Sequence, residues 1–206
     1  ERLMARPHPL ASFGIETDAH TASLGAFWGQ AGAILIVGTG SCGYGMVGGK
    51  PLHVGGWGYE ISDEGSGAAL GRALLRRAIW AHDGRIPRSA LADAVWEEFG
   101  DDPERLVDWV GPARPSDYAR FAPLVLEHAR RRDPLGVALV QEAASGIGAI
   151  ATRLLALGAP ALCLFGGLGE PLRPWLTPPL RDAIVPPASD AMDGAILLAR
   201  RHAPRA

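Results

Sequence analysis

The sequence has little cysteine and no excess of charge of either sign. Its 206 residues include two cysteines, Cys42 and Cys163, which are far apart and show neither a metal-ligand spacing nor a disulfide framework. The formal net charge is -2, with 20% charged residues. There is thus no basic excess for binding nucleic acid or a membrane surface. The use of cysteine favours a protein of a reducing compartment.

Long apolar runs and a recognisable signal peptide are also missing from the sequence pattern. We read its apolar stretches as too short to span a bilayer. We therefore expect a soluble, cytoplasmic protein that binds neither nucleic acid nor membrane. Hydrophobic residues make up 48% of the 206-residue chain, enough for one large domain or one and a half small ones. Because the chain begins with Glu1 rather than Met, we expect it to be a piece of something longer.

Glycine, by contrast, is concentrated between residues 38 and 67. This stretch follows an apolar run at 33–37 and precedes a helical pattern at 68–81. Dense glycine lets backbone N–H groups approach an anion closely and adopt turns that other residues avoid. We interpret the stretch as the wall of a site that handles phosphate and sugar.

The alternation of strand and helix patterns predicts an α/β fold. Strand patterns occupy residues 11–19, 33–37, 41–47, 51–54 and 161–165, with a hairpin turn before the fourth. Helical patterns occupy residues 17–29, 68–81, 89–99, 103–110, 116–132, 133–157 and 189–202. Ligands are expected where strands end in glycine loops.

Capping residues mark several of the predicted helix starts. Thr17 or Asp18 can cap the first helix, and Asp63 is placed to cap the second. Ser89 is expected to cap the third, and Asp133, followed by a proline, the long helix at 133–157. Within 116–132, a proline at position 123 predicts a kink or break.

Two glycine turns follow apolar strands directly. The first is Gly38, Thr39, Gly40 and Ser41, whose N–H groups and two hydroxyls could bind a phosphate. It lacks the Lys-Ser/Thr pair of a Walker loop, and an ordinary hairpin turn is the alternative. The second turn contains Gly166 and Gly167, against which a purine or ribose could lie. A simple strand-end turn is the alternative there.

Three side chains near these turns suit sugar chemistry, each with a structural alternative. Asp18 could accept a proton from a hydroxyl nucleophile, although capping is favoured on sequence alone. Trp57, in the motif GGWG, suits the apolar face of a sugar or an acyl group, with core packing as the alternative. Asp63, with Glu64, could bind sugar hydroxyls or simply favour a helix N-terminus.

Four motifs, in order, carry a family resemblance: TDA, IVGTGS, GGWGYEISDEGSGAALG and LFGGLG. Together they resemble the N-acetylglucosamine kinase family, within the BadF/BadG/BcrA/BcrD-type ATPase group, from about residue 12 to residue 199. The resemblance implies a ribonuclease H-like (actin-like ATPase) α/β fold, with a mixed sheet and flanking helices. It implies a remnant of the first ATPase lobe at 1–29 and a second lobe, binding sugar and nucleotide, at 30–202.

The resemblance also implies an activity: transfer of phosphate from ATP, with Mg²⁺, to the 6-hydroxyl of N-acetylglucosamine or glucosamine. Asp18 matches the catalytic base, and that role is then favoured over capping. The family's positions that hold the amino sugar correspond here to Gly56, Trp57, Gly58 and Asp63. Thr39 matches a threonine that contacts ATP. The family's nucleotide-binding positions correspond here to Gly38, Thr39, Gly40, Ser41, Ala119, Gly166 and Gly167. No metal-ligating residue is assigned in this chain.

The sequence also departs from the family. Ser62 stands where the family usually has glycine, and the Asp-Gly-Gly-Gly-Thr hairpin and a sugar-binding Asn are absent. That hairpin contacts ATP and helps to place Mg²⁺ in the family, so this chain is expected to be inactive by itself.

Two other functions and two further points stay open at this stage. One alternative is an activator-type ATPase of a CoA-reductase or dehydratase system, although Cys42 and Cys163 do not resemble its iron–sulfur ligands. The other is a non-catalytic sugar-binding module. The acceptor hexose is open, and helices within 89–132 could offer a homodimer face.

Overall fold

A mixed sheet forms the centre of the described part of the chain, where it has four strands. The computed structural model describes residues 14–202. The strands are β1 (Gly32–Val37), β2 (Ser41–Val47), β3 (Lys50–Gly55) and β4 (Leu162–Phe165), in the order β3-β2-β1-β4. The first three form an antiparallel meander, whereas β4 pairs in parallel with β1.

Strand β1 is the most apolar because it is central and covered on both faces. Ala33, Leu35 and Val37 point into the larger core, which the long helix and the helical block complete. Ile34 points to the opposite face and packs with Ala22 of the first helix. An uninterrupted apolar run is the pattern expected of a strand without a solvent-facing side.

Ten α-helices lie within residues 14–202, and most match the predicted helices. They are α1 (Asp18–Ala26), α2 (Gly67–His82), α3 (Ala90–Phe99), α4 (Pro103–Val110), α5 (Pro115–Ala119), α6 (Ala122–Arg130), α7 (Pro134–Ala156), α8 (Gly169–Leu172), α9 (Pro178–Asp182) and α10 (Ala191–His202). The predicted break near Pro123 is the gap between α5 and α6. Helices α8 and α9 and the 3₁₀ turn Arg173–Trp175 were not predicted.

The strand predicted at 11–19 is wrong for the part that the structure describes. Residues 14–17 have no regular secondary structure, and Asp18 is already the first residue of α1. Residues 11–13 lie outside the described residues. The threonine cap and the small residues that follow favour a helix here, and these signals outweigh the short apolar pattern.

Three of the four predicted caps are right, including Thr17 for α1, and one is wrong. The Ser89 hydroxyl caps α3, and the Asp133 carboxylate caps α7 by accepting from Leu135 and Gly136. Asp63 does not cap α2; Ser66 does, accepting from the Ala69 N–H at 3.2 Å.

Helix α1 packs against α10, the last helix, at nearly backbone contact. A Cβ at Gly25 would lie 1.7 Å from the Asp190 carbonyl oxygen, and one at Gly194 would lie 1.9 Å from the Thr21 carbonyl oxygen. Only residues without a side chain fit at these two points. The Ala188 N–H also donates to the Ala26 carbonyl at 2.9 Å. The first and last helices of the described chain therefore form one unit.

Helix α7 contributes many of the buried side chains of the larger core. By length and composition alone it could cross a membrane, contrary to our expectation that apolar stretches are too short. However, 56% of its most apolar window is buried inside the protein, as in the core helix of a globular domain. Its inward side chains, such as Leu139, Ile147 and Leu154, are almost completely buried. A single helix of this kind is weak evidence for a membrane span.

Candidate active site

At the start of α1, the helix cap and the predicted catalytic base are two different residues, which the sequence alone did not distinguish. Thr17 is the N-cap, and its hydroxyl oxygen accepts from the His20 N–H at 3.2 Å. Asp18 is therefore the first helical residue rather than the cap, and its carboxylate is exposed. Its only hydrogen bond among the described residues is from the adjacent Ala19 N–H, at 2.8 Å. The capping requirement is thus met without Asp18, which leaves its carboxylate available to a ligand.

The negative charges of two carboxylates act on the thiol of Cys42. Burial, and after it the negative charges of Asp18 and Asp63, raise the pKa of this thiol. Cys42 also lies under the GGWG motif, because a Cβ at Gly56 would come within 2.5 Å of the Cys42 Cβ. Asp18 precedes Gly56 by 38 residues and Asp63 by 45 residues, yet all three act on or lie against one side chain of β2. The fold thereby gathers the predicted base and part of the predicted sugar site.

The turn after β1 carries free backbone donors. The N–H groups of Thr39 and Gly40 have no acceptor within residues 14–202. Gly38 has open space where a side chain would lie, and Thr39 is exposed. Unpaired N–H groups next to bare backbone are what an anion such as a phosphate requires. The carbonyls of Gly38 and Thr39 are occupied, since they accept from the first N–H groups of α2 at 2.8 and 3.1 Å.

Ser41 joins this turn to the loop that precedes α2. Its N–H donates to the Asp63 carboxylate at 3.3 Å, and its hydroxyl donates to the Glu64 carbonyl at 2.8 Å. Asp63 has φ 64, a left-handed conformation that costs a non-glycine residue energy. The hydrogen bond to Ser41 helps to hold Asp63 there. It also explains why Asp63 does not cap α2.

The Ser41 contacts correct one expectation. Its hydroxyl was expected to bind phosphate, but it is buried and already donates within the protein. Ser41 therefore serves to connect two loops, and Thr39 keeps the free hydroxyl of this turn.

The second glycine turn lies beside the first. The Leu168 N–H donates to the Val37 carbonyl at 3.0 Å, so the turn after β4 is fixed to the end of β1. Gly166 has φ 82, and a Cβ there would lie 2.4 Å from the Val37 carbonyl oxygen. Gly167, by contrast, faces open space.

Ala119 lies at the same corner as the two glycine turns. A Cβ at Gly67 would lie 3.1 Å from both the Ala119 methyl and the Gly38 carbonyl oxygen, and 3.3 Å from Leu168. The structure thus brings together the residues predicted to contact nucleotide, apart from the buried Ser41.

Trp57 and Gly58 form the outer rim of the site. The Trp57 side chain is 70% exposed, which excludes the core-packing alternative for this residue. It meets the His53 ring edge-on at 4.9 Å between centroids. Two residues later the chain turns inward at Tyr59, whose ring packs against Tyr118 at 5.6 Å. Trp57 is therefore an exposed aromatic surface on an anchored loop.

The described residues contain no group of three or more His, Cys, Asp or Glu side chains that could hold a metal ion. Both cysteines are free thiols, and burial raises the pKa of the Cys163 thiol to about 11. A buried thiol on the central sheet is poorly suited to ligate a cluster shared between subunits.

Sequence reasoning missed Cys42 as a site residue. It was considered only as a metal or disulfide partner, and it has neither role. The alternation along β2 offered a signal, because Cys42, Tyr44 and Met46 are partly exposed while the residues between them are buried. Its neighbours Asp18 and Asp63 could be recognised only in three dimensions.

Solved structures define the class of fold. A Chromobacterium violaceum protein provisionally called an N-acetylglucosamine kinase superposes with a TM-score of 0.87 at 40% identity, covering 96% of this chain and 69% of that one. A ROK family glucokinase from Streptomyces griseus, solved with glucose and AMPPNP, superposes with a TM-score of 0.51 at 20% identity, covering 91% and 68%. The second likeness concerns the fold alone. The chain thus has the α/β fold of the actin-like ATPases and sugar kinases, as predicted.

Sequence comparison identifies the family. The pattern of the BadF/BadG/BcrA/BcrD ATPase family matches residues 4–199, and the chain belongs to this family. Glucosamine kinase GspK of Vibrio cholerae is 42% identical over 196 residues, which cover 95% of this chain and 67% of that protein. The chain therefore spans about two thirds of the length of this relative. The family resemblance inferred from the four motifs is confirmed.

Proposed function

We propose that this chain is the second lobe of a kinase that transfers the γ-phosphoryl group of ATP to the 6-hydroxyl of glucosamine or N-acetylglucosamine. In this proposal residues 30–202 form the lobe that binds sugar and nucleotide, and residues 1–29 belong to the first lobe. The names of the relatives support an amino sugar as the acceptor, since they are called glucosamine or N-acetylglucosamine kinases.

The geometry at the end of β1 carries the proposal: the Ser41 N–H holds Asp63 at the glycine turn, Gly56 lies against Cys42 of β2, and Thr17 rather than Asp18 caps α1. In the proposed reaction Asp18 accepts the proton of the sugar hydroxyl as its oxygen attacks the γ-phosphorus. The bond from that phosphorus to the bridging oxygen breaks, and ADP leaves with the electron pair. Phosphoryl transfer depends mostly on positioning and charge stabilisation, so one base and well-placed donors can suffice on this side of the cleft.

The division of roles within the site follows from which groups are free. The unpaired N–H groups of Thr39 and Gly40 are suited to phosphate oxygens, and bare backbone at Gly167 is suited to the flat adenosine. Trp57 is suited to the apolar face of the sugar ring, with Asp63 as an acceptor for its hydroxyls.

Mg²⁺ bound to the phosphates of ATP is part of the proposal, and when bound it neutralises charge on the transferred group. The described residues offer no cluster of metal ligands, so we assign none of them to the ion. The residues described above bind and orient the substrates and hold the proton.

A coupled assay of ADP release tests the proposal. The full-length protein would be supplied with ATP, Mg²⁺ and, in turn, glucosamine, N-acetylglucosamine, glucose and mannose. We expect release that depends on an amino sugar and forms its 6-phosphate, identified by NMR. The proposal would be refuted if none of the four sugars supported ADP release.

An assay for iron and acid-labile sulfide on anaerobically purified protein separates the kinase from an activator-type ATPase. The kinase proposal predicts neither element in stoichiometric amount, because Cys163 is completely buried and Cys42 is partly so.

A further inference from the structure

A cavity of about 500 Å³ lies behind the loop that carries Trp57 and Asp63. Its walls are that loop, helix α2 and helix α7, and we call it the α2–α7 cavity. None of Asp18, Thr39, Trp57 and Asp63 lines it, so it is separate from the candidate active site. Its volume falls in the range of small-molecule sites, about 300–1,000 Å³.

Two arginines of the α2–α7 cavity have no carboxylate partner among residues 14–202. Arg72, Arg76 and Arg77 of α2 all line it. Arg77 donates to Glu142 of α7 at 2.7 Å, but Arg72 and Arg76 form no ion pair within residues 14–202. They stand four residues apart, on one face of the helix. Paired guanidinium groups of this kind bind phosphate oxygens with several donors each.

The loop side of the cavity adds carboxylates and an aromatic ring. Glu60 and Glu64 both line the cavity, and neither forms an ion pair among the described residues. Among the described residues the Glu64 carboxylate accepts only the Ser62 hydroxyl, at 3.2 Å. The Tyr59 hydroxyl is buried and makes no hydrogen bond of good geometry within residues 14–202. Arg72 is its neighbour: the guanidinium carbon lies 5.5 Å from the ring centroid, and its charge opposes the burial that raises the pKa of Tyr59. The lining therefore suits a ligand that has an anionic end, hydroxyl groups and a cationic group.

The loop connects this cavity to the active site in front of it. Glu64 lines the cavity with its side chain, while its carbonyl accepts the Ser41 hydroxyl of the phosphate-binding turn. Asp63, the residue before it, accepts the Ser41 N–H. A ligand that moves Glu64 must therefore act on Asp63 and Ser41 as well.

We propose that the α2–α7 cavity binds a phosphorylated amino sugar, with its phosphate on Arg72 and Arg76 and its ammonium group toward Glu60 and Glu64. This ligand is the product class of the proposed reaction, so its identity rests on the proposed function. Bound there, it acts on the loop that carries Trp57 and Asp63, from the side opposite the candidate active site. It thereby inhibits turnover without competing with the acceptor sugar.

Calorimetric titration of the full-length protein with glucosamine 6-phosphate tests the site, with saturating glucosamine present to fill the front pocket. We expect the double variant Arg72→Ala, Arg76→Ala to weaken binding at least tenfold, since charge-assisted contacts are lost. Lysine at both positions should recover part of the affinity. The matched control is Arg130→Ala, which removes an exposed arginine outside the α2–α7 cavity and should change affinity less than twofold. Thermal unfolding checks that each variant is folded.

Two further ligands identify the chemistry that is recognised. Glu60→Gln should weaken glucosamine 6-phosphate more than glucose 6-phosphate, because only the former carries an ammonium group. Inorganic phosphate that binds as tightly as the sugar phosphate would refute the sugar part of the proposal. Equal affinity in the wild type and the double arginine variant would refute the site itself. Failure of the proposed function would show in a separate assay. There, the wild type supplied with ATP, Mg²⁺ and an amino sugar, with no phosphorylated sugar added, would release no ADP.

Discussion

Replacing Asp18 by Asn and, separately, Thr17 by Ala distinguishes catalysis from helix capping at the start of α1. Thr17 supplies the capping oxygen, so its loss should cost about 1 kcal/mol of unfolding free energy. In a chain of this size that lowers the melting temperature by about 2–4 °C. Asp18→Asn removes only a charge from the first turn, a loss of roughly 0.3–1 kcal/mol.

The effects on activity should be in the opposite order. If Asp18 is the general base, Asn cannot accept the proton, and kcat should fall by about 10²–10⁴. That corresponds to roughly 2.7–5.4 kcal/mol of barrier, far more than the expected change in stability. Thr17→Ala leaves the base in place, so its kcat should stay within a few-fold of the wild type.

Both variants would be measured in the full-length protein, by coupled ADP release for kcat and by calorimetric titration for sugar affinity. Asp18→Asn should bind the sugar within a few-fold of the wild type, because the carboxamide keeps the shape of the side chain. A drop in kcat of only a few-fold for Asp18→Asn would refute its role as base. Equal losses of activity in the two variants would show that the start of α1 matters only as structure.

Three other predictions follow from contacts in the structure. Trp57→Ala should raise the KM for the sugar by about 2- to 12-fold, from ~0.5–1.5 kcal/mol of ring stacking, with kcat nearly unchanged; a pure loss of kcat would contradict this. Gly166→Ala should lower the unfolding free energy by about 1–3 kcal/mol in urea, because Gly166 has a positive φ and the added Cβ would meet the Val37 carbonyl. Gly167→Ala is the control for stability: it should unfold like the wild type but bind ATP more weakly. Asp133→Ala should lower the unfolding free energy by about 3 kcal/mol or more, because its carboxylate accepts the N–H groups of three residues at the starts of α3 and α7, and equal stability would refute this.

The Asp133 contacts also fix a pH dependence. Burial acts to raise the pKa of this carboxyl, but hydrogen bonds from backbone N–H groups outweigh it and hold the pKa below its usual value. The stabilisation is therefore complete above the unfolded-state pKa and is lost as the pH falls through the folded-state pKa. Urea unfolding of the wild type and of Asp133→Asn should show a stability difference that shrinks in acid. A difference that does not change with pH would contradict this cause.

What the sequence predicted well depends on short-range signals. Ser89 and Asp133 cap their helices through residues two or three positions away, and the apolar run at 33–37 identifies a central strand. Both glycine turns could be found because they follow strands directly.

What the sequence could not predict depends on contacts between distant residues. Asp63 looked like a cap, but its partner is the N–H of Ser41, 22 residues earlier in the chain. Cys42 gained its place in the site only when Asp18 and Asp63 came together around it. The α2–α7 cavity lies between helices that are far apart in sequence, so a helical pattern alone could not reveal it.

The packing of α1 on α10 has a consequence for how the protein is made. A ribosome synthesises the chain from its N-terminus, so Asp18 emerges long before residues 191–202, on which its helix rests. The base proposed for catalysis is therefore held in place only after the last helix has left the ribosome exit tunnel. A nascent chain halted before that point would have its glycine turns but no fixed position for Asp18. Under the proposed function, phosphate transfer would thus require a chain that extends past α10.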